Sequence, residues 1–88
     1  MSKKTIHAKE YAQIIEMLTS ERKRLGLSQV EVATALNMSQ SDVSKFETQE
    51  RRLDILEFKR LIDLYRVSEN TKLCSQIKSF FGLNDLES

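Results

Sequence analysis

The chain has 88 residues, a formal net charge of +1, no proline, two glycines and one cysteine. That is enough for one small domain with a modest core, and so little Gly and Pro argues against a sandwich or barrel, which needs many turn residues. Apolar residues at 40% and charged residues at 31% exclude a disordered chain, and no apolar run approaches the ~20 residues that span a bilayer.

The first residues carry lysines but no apolar stretch, so no signal peptide is expected and the expected compartment is the cytoplasm. The lone Cys74 has no disulfide partner, and one His with one Cys does not make a zinc site. Residues 1–66 hold twelve basic side chains against ten acidic ones, and the last 22 residues hold two against three. A nucleic-acid ligand would therefore require the fold to gather positive charge on one face.

In chain order, the first periodic segment runs from His7 to Leu25. Tyr11, Ile14, Ile15, Leu18, the stem of Arg22 and Leu25 recur at helical spacing. Gly26 stands where a helix end turns left-handed. Ser28 opens a second helix, and Glu31 completes an S-x-x-E capping box. Val30, Ala33 and Leu36 form its expected inward stripe, and Asn37 ends it. Ser39 opens a third helix with Asp42 near its start, Val43 and Phe46 inward, and Gln40, Ser41, Ser44 and Lys45 outward. Two short helices joined by a turn at Asn37–Ser39 make a helix-turn-helix.

After the polar link "ETQERRL", Asp54 is the expected cap of a fourth helix, with Ile55, Phe58, Leu61, Ile62 and Tyr65 as its buried stripe. Ser68 is the candidate cap of a fifth, over about 69–81, with Gly82 at its end and "LNDLES" as a tail. The expected fold is all-α, one compact five-helix domain over 1–88 with its core at 7–66.

The pair Ser-Gln occurs at the start of both short helices, Ser28-Gln29 and Ser39-Gln40. A helix start presents free N–H groups and partial positive charge, which attract phosphate. The expectation is that Gln29 points at a DNA backbone and Gln40 into the major groove, where an amide can bond adenine. The two starts would then face different parts of one duplex. Ordinary capping with exposed glutamines is the competing reading of either pair alone.

The stretch from Leu18 to Tyr65 resembles the lambda-repressor-like, or XRE/Cro type, helix-turn-helix family. The resemblance is carried by Arg22, Gly26, Leu27, Ser28, Gln29, Ala33, Leu36, Ser39, Val43, Ser44, Phe46, Glu47 and Arg51. Two positions depart from the pattern: Val32 replaces a usual Leu, and Gln49 replaces a usual Gly, a strained choice if that site needs a positive φ. The resemblance implies that Gln29 contacts phosphate, that Gln40, Ser41 and Lys45 face bases, and that Ser39 and Ser44 serve phosphates. It also implies that Arg51 and Arg52 follow the backbone. Arg22 and Glu47 match a pair that forms an internal ion pair, with Arg22 also reaching a phosphate; a purely structural pair stays open.

The C-terminal helix offers Leu73, Ile77, Phe80 and Phe81 as a dimer interface, with membership of the monomer core as the alternative. The function implied is a repressor-type transcriptional regulator that binds an operator in double-stranded DNA as a homodimer. The alternative is an antitoxin-type interaction module that also autoregulates. A toxin or RNA polymerase is then a possible protein partner. No catalytic constellation, cofactor, metal or membrane association is expected.

Overall fold

The structure is a computed structural model and describes residues 8–83. The helix start expected at His7, Leu86 and the tail beyond Leu83 lie outside the described residues. Five α-helices form: α1 (Ala8–Arg24), α2 (Gln29–Leu36), α3 (Gln40–Glu47), α4 (Ile55–Leu64) and α5 (Thr71–Phe81). A single 3-10 turn, Val67–Glu69, separates α4 from α5, and the described residues contain no strand.

Local sequence explains the boundaries. Ser28, Ser39 and Asp54 each cap a helix through a full capping box, with Glu31, Asp42 and Glu57 as the returning acids. Gly26 and Asn37 take positive φ, 76° and 58°, and close α1 and α2 as expected. Gly82, at φ 70°, ends α5. The fifth helix is capped by Asn70 rather than Ser68, because the 3-10 turn takes up residues 67–69. Asn70 does two jobs: its oxygen accepts from the Leu73 N–H at 3.0 Å, and its amide donates to Glu21 on α1 at 3.0 Å.

One core draws on every helix. Ile14, Ile15 and Leu18 of α1 meet Val32, Ala33 and Leu36 of α2, Val43 and Phe46 of α3, and Leu61 of α4. Tyr65, Val67, Leu73 and Ile77 complete it. Each large apolar side chain here contributes about 1.5–3 kcal/mol, which is what holds α2 and α3, eight residues each and too short to persist alone.

The expected stripes need three corrections. Val30 faces solvent and Val32 the core; Val30 sits about 160° around the helix from Val32, so only one of them can face inward. Ile55 is 77% exposed, because it lies in the first turn of α4, about 120° around from Leu61. Leu25 is exposed beyond the last turn of α1, where Gly26 redirects the chain. The dimer assignment of Leu73 and Ile77 also changes. They are 1% and 8% exposed within one chain, so they belong to the intrachain core and extend it well beyond residue 66.

Candidate nucleic-acid interface

The site is built on the α2–turn–α3 unit. Its foundation is the buried pair Arg22–Glu47, which joins the end of α1 to the end of α3. Arg22 Nε donates to Glu47 Oε2 at 2.7 Å and Nη2 to Oε1 at 3.1 Å, while Nη1 donates to the Leu27 carbonyl at 2.8 Å. The Glu47 carboxylate holds the guanidinium pKa above its ordinary value. With all three nitrogens engaged, and a side chain only 10% exposed, Arg22 is withdrawn from the surface expected for a phosphate contact. Its bonds tie the end of α1 to the end of α3 and to the link before α2.

Glu47 Oε1 takes a second donor, Gln29 Nε2, at 2.9 Å. Gln29 Oε1 in turn accepts from Gln40 Nε2 at 2.5 Å. The two glutamines of the repeated Ser-Gln pair therefore touch. The contact joins the two helix starts that the sequence reading aims at different parts of one duplex. Each is the first residue of its helix, and the short turn through Asn37 and Met38 brings those two starts together. Equal offsets from two caps across a tight turn were the available signal in the sequence.

Beyond Gln40, the exposed surface of α3 carries Ser41 and Lys45, and Ser44 is half-buried at its edge. The Ser39 hydroxyl accepts from the Asp42 N–H at 3.0 Å, and the Asp42 carboxylate accepts from the Ser39 N–H at 3.3 Å. The Ser39 backbone and hydroxyl hold the Asp42 carboxyl below its usual range, so an acid is charged on this face but folded back onto the helix cap.

The chain leaves α3 through Gln49, which adopts φ 67°. The Glu50 N–H reaches the Lys45 carbonyl at 2.9 Å and the Gln49 N–H the Phe46 carbonyl at 3.2 Å, a Schellman closure. The position where the family pattern has glycine is left-handed in this chain. Arg51 forms a two-pronged pair with Glu57, at 3.0 and 2.6 Å. Arg52 lies over the Tyr11 ring, 5.0 Å from its centre, and the Tyr11 hydroxyl accepts from the Leu53 N–H at 3.2 Å. Arg51 therefore secures the loop to the start of α4, while Arg52 remains exposed beside it. The roles of Tyr11 and Glu57 in holding this loop were not anticipated.

Among the described residues no helix is long and apolar enough to cross a membrane, and no cluster of His, Cys, Asp and Glu could hold a metal ion. A family model described as helix-turn-helix matches residues 18–71. That span covers α2, the turn, α3, the following loop and α4. A comparison with curated proteins finds no match.

Proposed function

The chain belongs to the lambda-repressor-like helix-turn-helix family of DNA-binding transcriptional regulators, and on that basis we propose that it is a cytoplasmic repressor that binds a two-fold operator as a homodimer. The observation that carries the base-reading part is the start of α3. Gln40, Ser41 and Lys45 stand exposed there, and Gln40 is held from behind by Gln29. A side-chain amide fixed at a helix start suits the paired acceptor and donor of adenine in the major groove. Ser39 and Ser44, the α2 start at Gln29, and Arg52 flank it and suit phosphates.

The homodimer reading draws on an apolar groove that Arg52 borders. Ile55, Phe58, Phe80 and Phe81 line one shallow groove with Tyr11, Leu53 and Arg52, and Ile55 and Phe81 are its strongly exposed apolar residues. Two such faces closing on each other would give two recognition helices on one duplex. Doubling the phosphate contacts would compensate for a net charge near zero.

Binding of the purified protein to duplexes carrying its preferred site tests this reading at one stated salt concentration. Gln40→Ala is expected to lose about 1–3 kcal/mol of discrimination at one base pair in each half-site. Equal weakening on every sequence would remove Gln40 from base reading. Sedimentation of the complex is expected to give two chains per duplex.

A further inference from the structure

From the hydrogen-bond chain we infer that Glu47 is a positioning residue for base recognition: acting through Gln29, it fixes which end of the Gln40 amide faces the base. This rests on the reading that Gln40 meets a base.

The inference follows from donor and acceptor chemistry. A carboxylate can only accept, so Gln29 must turn its amino group to Glu47, as it does at 2.9 Å. That leaves the Gln29 oxygen facing Gln40. Gln40 must answer with its own amino group, as it does. Gln40 then has one fixed order of atoms toward the ligand, with its oxygen and remaining N–H in defined places. Adenine offers N7 and its N6 amino group in one order only, so a reversed amide mismatches both. The anchor is rigid because Arg22 grips the same carboxylate with two nitrogens in a buried site.

Glu47→Gln isolates this effect. The new side chain has one oxygen and one amino group, and both positions face donors. Arg22 Nε approaches Oε2 at 2.7 Å and Nη2 approaches Oε1 at 3.1 Å. With the oxygen at the closer place, beside Nε, the amino group takes the position of Oε1, which in wild type accepts from both Arg22 Nη2 and Gln29 Nε2. Two amino groups cannot bond, so Gln29 turns over, and Gln40 follows. The base preference is then lost although no residue facing the DNA has changed.

The test is selection of sites from random duplex DNA at fixed salt by wild type, Gln40→Ala, Gln29→Met and Glu47→Gln, with thermal melting of each. Gln40→Ala identifies the position read by residue 40. Glu47→Gln is expected to lower discrimination at that same position by roughly tenfold, within the range of one paired contact, and to leave the other positions intact. Glu47→Gln added to Gln29→Met should change that position no further. Should Glu47→Gln fail to fold, Arg22→Leu/Glu47→Leu replaces the buried pair with apolar groups and carries the same expectation. An unchanged preference at the Gln40 position in a folded Glu47 variant overturns the inference, since a purely structural pair alters melting and leaves the profile alone. If Gln40→Ala itself changes no position, the base-reading role fails, and the inference with it.

Discussion

Tyr65 buries its ring in the centre of the core at 1% exposure, yet its hydroxyl has no hydrogen-bond partner among the described residues. An unpaired buried hydroxyl costs about 1–3 kcal/mol. Tyr65→Phe should therefore be at least as stable as wild type, by up to ~1 kcal/mol in urea denaturation. Burial, helped by the nearby Glu47 carboxylate, pushes the phenol above its ordinary value of 10.0. The unfolded chain then loses this proton first. The contribution is fully present below about pH 10 and is lost as pH rises further. Stability should thus fall on the alkaline side, and less steeply in Tyr65→Phe. The sequence placed Tyr65 on a buried stripe but could not show that its hydroxyl is enclosed without a hydrogen-bond partner. That depends on how four helices and a turn meet. The same limit applied to Gln29 and Gln40, whose caps were evident from their neighbours and whose contact was not.

Elements in this chain are set by their ends. Three capping boxes and five left-handed residues, Gly26, Asn37, Gln49, Arg66 and Gly82, account for both ends of α2, α3 and α4 and the C-terminal ends of α1 and α5, and most were legible because caps depend on residues a few positions apart. The missed start of α5 shows the limit. Ser68 has the chemistry of a cap, but Arg66 at φ 52° bends the chain into a 3-10 turn that consumes it. Gln49 gives a direct check at this scale. A left-handed L-residue costs about 1–2 kcal/mol, against roughly 0.5–1 kcal/mol of extra flexibility lost by glycine on folding. Gln49→Gly should gain about 0.5 kcal/mol in urea denaturation, and Gln49→Val, branched at Cβ, should lose stability. A loss in Gln49→Gly would mean that its side chain stabilises the loop in a way the backbone does not reveal.

At the scale of the whole molecule, α5 divides its apolar residues between two tasks. Periodicity placed Leu73, Ile77, Phe80 and Phe81 on neighbouring faces, but which face a second chain could reach depends on what α1 and α4 already cover. Leu73 and Ile77 are enclosed, whereas Phe81 is 46% exposed and its ring lies 5.8 Å from that of Phe58. Phe81→Asp and Ile55→Asp are accordingly expected to melt close to wild type and to sediment as monomers. Leu73→Asp, which would bury a charge without a partner, is expected to unfold the chain. A dimer that survives both surface changes would place the interface elsewhere.

Whether the coupled start of α3 reads sequence in a two-fold site is tested most directly by the base-preference profile of the wild-type protein, selected on random duplex DNA. The expected result is an inverted repeat with half-sites centred about 34–36 Å apart, one helical turn or a multiple of it. Absence of any enriched sequence, or enrichment of a single site without two-fold symmetry, would contradict it.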